Sequence, residues 1–431
     1  MAVDAPLNTL AASTAAAAIA RGEITSVALL ESCLERIESR DALVCAWVHV
    51  DAELALGEAR RADALLASGK PMGPLHGVPV AVKDIFDTAD MPTECGSALY
   101  RGRRPQRDAR AVSLLRAAGA IVLGKTVTAE LALSAPGATA NPLDLRRTPG
   151  GSSSGSAAAV ADFMAPLALG SQTTGSVIRP ASYCGIVGFK PSFDRVPTAG
   201  MHMLARALDH VGVFARNLTD ISLIMTSMLP GHWDAGSCRT PRIGIVRAPV
   251  WSEASADARA RFDGWTEDLG LRANAALGDI FDDAVACQRL ILDFNLAKIL
   301  GDACEKNPER LNAITRARVE AGRGISASAA EGAMARVERQ RARLAELFQD
   351  YDALVTLAAP GEAPLGLSST GNAVFSAIWT LMGVPAISLP MLEGEQGLPI
   401  GVQIIGAKDE DARLLAIAGE ISAMHPAAHR K

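Results

Sequence analysis

Aromatic residues make up only 4% of this 431-residue chain, and lysine occurs eight times against thirty-four arginines. Seven histidines occur without an H-E-x-x-H motif, so no metal centre is expected. The seven cysteines are odd in number, scattered and free of any C-x-x-C pair, which reads as reduced core thiols in a cytoplasmic protein. No apolar run reaches the roughly 18 residues that a membrane span needs. Met1 to Ala20 lacks the basic start of a signal peptide and carries Asp4 where positive charge belongs. A net charge of −5 argues against nucleic acid as a partner. What is present is a soluble composition, 49% hydrophobic and 21% charged, rich in the alanine and glycine that suit close packing of helices on a sheet.

The chain order predicts an α/β fold: one domain over residues 1–431 with a large mixed, twisted sheet covered by helices. Residues 1–70 read as a helical segment, with Thr25 capping the helix that opens at Ser26. Residues 77–230 mix short apolar strands (78–82, 121–124, 167–170) with Ala-rich helices. A further strand is expected at 243–246 after a loop at 231–241. Residues 282–350 are helical and Arg/Glu-rich, an outer layer over one edge of a pocket. Strands return at 353–356, 386–389 and 401–404. Strands at both ends with helices between argue for one sheet rather than separable domains.

The most informative segment is Gly150-Gly151-Ser152-Ser153-Ser154-Gly155-Ser156, which leads into an Ala-rich helix. Gln172-Thr173-Thr174-Gly175-Ser176-Val177-Ile178-Arg179-Pro180 follows closely. Glycines admit close backbone approach, and helix starts supply unpaired N–H groups. A phosphate-binding loop fails because Ser156 stands where its lysine belongs. A nucleophile elbow centred on Ser153 fits G-x-S-x-G, but the residues before it, 141–149, form a loop rather than a strand. The remaining option is a serine activated by lysine. No S-x-x-K occurs, which excludes the penicillin-binding type. Lys83 ends the apolar run Gly77-Val78-Pro79-Val80-Ala81-Val82 and precedes Asp84-Ile85-Phe86, so burial is expected. Burial favours a neutral amine that can act as a base. The competing reading is a lysine snorkelling from a strand end.

These segments, with Cys184-Gly185-Ile186-Val187-Gly188-Phe189-Lys190-Pro191 and Gly397 to Gly406, resemble the amidase signature family over most of the chain. Within it the Ser-Val-Ile-Arg-Pro run and Trp379-Thr380-Leu381-Met382-Gly383 are most similar to malonamidase-like enzymes. The resemblance implies a Ser–cisSer–Lys triad: Lys83 as base, Ser152 as the bridging serine on a cis peptide, and Ser176 as nucleophile. It implies no cofactor. Ser153, Ser154 and Ser156 are then loop and cap residues.

An oxyanion hole is expected from the backbone N–H groups of Thr173, Thr174, Gly175 and Ser176. Thr174 departs from the usual family glycine and Gln172 from the usual aspartate. Arg179 reads either as a structural arginine paired to an acid or as a clamp on a substrate carboxylate; the malonamidase resemblance implies the clamp. Gln172 is expected beside it as a substrate-binding residue. The expected substrate is a small linear amide bearing a carboxylate, cleaved through an acyl-enzyme with release of ammonia, and a homodimer is the expected assembly. Three other readings stay open: the A subunit of a tRNA-dependent amidotransferase, an amidase for apolar or aromatic amides, and a catalytically silent scaffold. His76 and His202 are the two histidines that could flank the pocket, though core or surface packing is the expected role of each, and Cys184 is expected in packing.

Overall fold

The computed structural model describes residues 5–229, 233 and 240–424. Most of the loop expected at 231–241 lies outside the described residues, as do His232, His425 and His429. Ten strands are present among the described residues: β1 (Trp47–Val50), β2 (Pro79–Lys83), β3 (Ile121–Thr126), β4 (Leu167–Gln172), β5 (Val187–Lys190), β6 (His210–Ala215), β7 (Ile243–Ile245), β8 (Ala353–Leu357), β9 (Ala386–Glu393) and β10 (Pro399–Ile405). All ten belong to one sheet, in the order β1-β3-β2-β4-β6-β5-β9-β10-β8-β7. β2 pairs in parallel with both β3 and β4, and β7 with β8, while the other neighbours are antiparallel. β2, β3 and β4 are buried at every residue, which is why their sequences run apolar without alternation.

Thirteen α-helices are found among the described residues. α1 (Ala12–Ala20), α2 (Ser26–Val44) and α3 (Ala52–Ala67) make up the first segment. Thr25 caps α2 by accepting from the Ala28 N–H at 3.0 Å. β1 interrupts this segment, which the sequence reading took as helical throughout; Trp47-Val48-His49-Val50 has strand-forming residue types and pairs with the edge of β3. β5 and β6 were likewise not anticipated as separate strands. α4 (Arg110–Ala117), α5 (Ser154–Ala161), α6 (Ile178–Cys184) and α7 (Leu218–Met228) intersperse the central strands. α8 (Ala256–Asp268), α9 (Ala284–Lys306), α10 (Ala313–Arg323) and α11 (Ala327–Asp350) precede β8, and α12 (Val374–Met382) and α13 (Asp411–Met424) follow it. α9 packs on α10, α11 and α12, forming the outer layer. Among the described residues no helix is long and apolar enough to cross a membrane.

The topology positions the functional residues. Lys83 is the last residue of β2 and Gln172 the last of β4, two neighbouring parallel strands. The crevice outside the carboxyl ends of parallel strands is where α/β sheets place ligands. α5 can lie against β3 only because Gly155 has no side chain: a Cβ there would come within 2.2 Å of the Ala46 carbonyl oxygen.

Candidate active site

Three lysines are wholly buried, and their partners distinguish them. Lys125 is ion-paired to Asp84 at 3.0 Å. Lys190 donates to the carbonyls of Val384 at 2.6 Å and Pro191 at 3.0 Å, acceptors that have no proton to give it. Lys83 Nζ is hydrogen-bonded to two hydroxyls, Ser152 Oγ and Ser171 Oγ, each at 2.8 Å. Burial pushes both Lys83 and Lys190 down to about 7, so acidity alone does not single out either. The partners do: a hydroxyl can donate to a neutral amine, whereas a carbonyl cannot. The nearby charge of Asp209 opposes the effect of burial on Lys83 without overcoming it.

Ser152 follows a cis peptide bond to Gly151, and Gly150 before it adopts a φ of 84°. The serines beyond it hold the loop in place. Ser153 Oγ donates to the Ser171 carbonyl at 3.2 Å and accepts from its N–H at 3.3 Å. Ser156 Oγ donates to the Leu169 carbonyl at 2.8 Å. These bonds fasten α5 to β4. Ser153, the residue an elbow would require as nucleophile, is fully buried and engaged with strand backbone.

Ser176 borders a cavity of about 580 Å³ whose wall also includes Thr173, Thr174 and Arg179. The carbonyls of Thr173, Thr174 and Gly175 are engaged. Gln288 Nε2 donates to Thr173 O at 2.9 Å, Thr380 Oγ1 to Thr174 O at 2.6 Å, and the Arg179 N–H to Gly175 O at 3.0 Å. Among the described residues the N–H groups of Thr173, Thr174, Gly175 and Ser176 have no protein acceptor. A run of free donors beside a hydroxyl is the arrangement that stabilises an oxyanion. Thr174 keeps a negative φ, so replacing the family glycine does not strain the turn. Space is tight at Gly175 instead: a Cβ there would lie 3.0 Å from that of Ala373 and 3.1 Å from that of Ser376. Ser152 and Ser176 share no hydrogen bond in this ligand-free geometry; catalytic hydrogen bonds often tighten only with substrate.

Gln172 does not take the substrate-binding position expected of it. Its Oε1 accepts from the N–H groups of Val177 and Ile178 at 2.8 and 3.0 Å, and its Nε2 donates to Thr380 at 2.9 Å. It is fully buried and absent from the cavity wall. A side chain ending a strand just before a helix is well placed to cap it, and the cap takes both ends of the amide. Arg179 matches neither reading in full. Its Nη1 donates to Gly371 O at 2.5 Å, and its Nη2 donates to Gly151 O and to Thr370 Oγ1. Those bonds tie the cis-peptide loop to the 369–372 loop. Among the described residues no carboxylate pairs with it and its Nε has no partner, and burial lowers it to about 10 while leaving it charged at neutral pH.

Several neighbours were not singled out in the sequence. Ser171 shares Lys83 with Ser152. Asp209, pushed up to about 6 by burial, accepts from Thr173 Oγ1 at 2.5 Å and from the Leu204 and Ala205 N–H groups. Gln288 and Thr370 reach the site from α9 and a distant loop. Only Ser171, next to Gln172 in the second element, had a sequence signal. His76 and His202 do not line the cavity. His76 Nε2 meets Ala62 O at 3.0 Å, and His202 stacks edge-on to Tyr100 at 5.6 Å. Cys184 packs with its thiol on Pro149 O at 3.4 Å.

Residues 28–415 match the family model described as Amidase. The chain is 35% identical to the A subunit of glutamyl-tRNA(Gln) amidotransferase of Acidothermus cellulolyticus, covering 95% of this chain and 93% of that protein. It is also 35% identical to a Mycobacterium tuberculosis protein named amidase AmiB2, covering 96% of each. A solved amidase structure superposes with a TM-score of 0.88 at 31% identity, covering 96% of this chain and 99% of that one. The chain belongs to the amidase family. It is an amidohydrolase, an enzyme that cleaves linear amide C–N bonds.

Proposed function

We propose that this amidase hydrolyses a small linear amide bearing a carboxylate, of the malonamate type, through Ser176, Ser152 and Lys83. The observation carrying the substrate assignment is Arg179: a buried guanidinium on the cavity wall with no carboxylate partner among the described residues. A buried charge left unpaired is costly, and a substrate carboxylate would offset it. Such an anchor presents the amide carbonyl to Ser176 and lowers the entropic cost of attack.

In this mechanism neutral Lys83 takes the Ser152 proton while Ser152 takes that of Ser176. Ser176 Oγ bonds to the carbonyl carbon, and the N–H groups of residues 173–176 hold the oxyanion. Collapse breaks the C–N bond, and the relay returns a proton so that nitrogen leaves as ammonia. Water, deprotonated by the same relay, then splits the ester and releases a dicarboxylate. No cofactor enters this scheme.

Because the relay needs a neutral Lys83, kcat/KM rises with pH and reaches half its plateau near pH 7. A pH–rate profile of ammonia release checks this; a rate undiminished well below neutrality contradicts it. Comparing malonamate with its methyl ester tests the clamp. The ester is expected to fall by about 100-fold in kcat/KM, the cost of losing one partner of a buried charge pair. Equal turnover returns the assignment to apolar amides. The 35% identity to an amidotransferase A subunit favours a second reading, a glutaminase-like subunit of a larger complex. Ammonia release from malonamate by the isolated chain, without tRNA or partner, separates the two.

A further inference from the structure

The cavity is far larger than a malonamate-sized substrate requires. Malonamate has about seven non-hydrogen atoms and displaces on the order of 120 Å³, taking about 30 Å³ per displaced water as the scale. The cavity holds about 580 Å³, within the range that accommodates drug-sized ligands. Its wall includes the apolar side chains of Leu133, Leu204, Val285, Leu292, Ile314 and Ala377, interspersed with polar ones such as Gln288, Arg289 and Arg318.

From this surplus, and resting on the acid-amide reading above, we infer that the enzyme's substrate is an N-substituted acid amide whose amine carries an apolar group. The acyl half has little freedom to grow. One end is held at Arg179 and the other at the 173–176 turn, and these lie on one short segment where the Arg179 N–H bonds to Gly175 O at 3.0 Å. The remaining direction out of the reacting carbon is the C–N bond. The apolar wall comes largely from elements outside the 173–179 segment: Val285 and Leu292 from α9, Ile314 from α10, and Leu133 and Leu204 from loops. Val285 and Leu292 lie seven residues apart, on one face of α9. This wall is the seat of the amine substituent. Attack by Ser176 Oγ forms the acyl ester as the C–N bond breaks, and the relay protonates nitrogen, releasing a primary amine. Water then releases the diacid, so one amide and one water give one acid and one amine.

The test measures kcat/KM on the full chain for malonamate, N-butylmalonamate, N-butylacetamide and an N-(3-carboxypropyl) analogue of malonamate, following ammonia or amine release. N-butylmalonamate is expected to exceed malonamate by tenfold or more, since each well-seated methylene improves discrimination. Ile314 is 43% exposed, so Ile314→Glu is tolerated by the fold and is expected to lower that ratio at least fivefold. Val285→Asp serves the same purpose from α9. Malonamate cleaved as fast as its butyl derivative overturns the amine seat while leaving the acid clamp standing. N-butylacetamide cleaved as well as N-butylmalonamate means the clamp has failed, and this inference with it. Preference for the carboxypropyl analogue overturns the apolar character of the seat and points to Arg289 and Arg318 on the same wall.

Discussion

Replacing Ser176 with alanine is expected to lower kcat by about a million-fold, the order seen when a nucleophile is removed from a hydrolase whose catalytic groups act as a unit. The substitution deletes one oxygen at a residue with 7% exposure on the cavity wall and leaves the turn carbonyls fastened by Gln288, Thr380 and Arg179. The fold and the free N–H groups therefore persist. Substrate binding is retained, and any residual rate reflects oxyanion stabilisation and positioning alone. Steady-state assay, with mass spectrometry for an acyl adduct on residue 176 of the unmodified enzyme, checks both halves. Turnover by Ser176→Ala within tenfold of the parent would exclude this serine as nucleophile. Ser153 would not inherit the role, because its hydroxyl is tied to Ser171 on both sides.

The second large effect is at Lys83. Lys83→Met keeps most of the side-chain volume and removes the amine, and is expected to reduce kcat by about 10⁴-fold, at the upper end for a general base. Stability should move the other way. The Lys83 amine falls from 10.5 to about 7 on folding, with burial the leading cause. Between those values the unfolded chain binds more protons, so this lysine's effect on stability worsens as pH falls through that window. Methionine has no such dependence, and the variant should melt no lower than the parent at neutral pH. Inactivity with unchanged or raised melting temperature separates a catalytic lysine from a structural one; a lowered melting temperature with retained rate reverses the assignment. The same change at Lys190 would leave two buried carbonyls unsatisfied and destabilise the protein instead.

Local order made much of the architecture readable. The runs 78–82, 121–124 and 167–170 mark β2 to within one residue and fall inside β3 and β4, because strands buried on both faces must be continuously apolar. Thr25 announces α2 through a bond confined to one helical turn. β1 was missed because a four-residue edge strand between two helices gains its stability from pairing with β3 rather than from its own pattern.

Residue type and order by themselves determined that this is an α/β chain with a lysine at the end of an apolar strand and two Gly/Ser elements, because strand burial and the backbone freedom of glycine are local properties. Only the tertiary structure decided which atoms meet. It joined Lys83 to Ser152 and Ser171, turned the Gln172 amide into a cap for α6, and left the Arg179 charge without a carboxylate among the described residues. Hydrogen bonds and desolvation depend on distances between residues far apart in the chain. Asp209, Gln288 and Thr370 reach the site across such separations, and no short-range pattern encodes them.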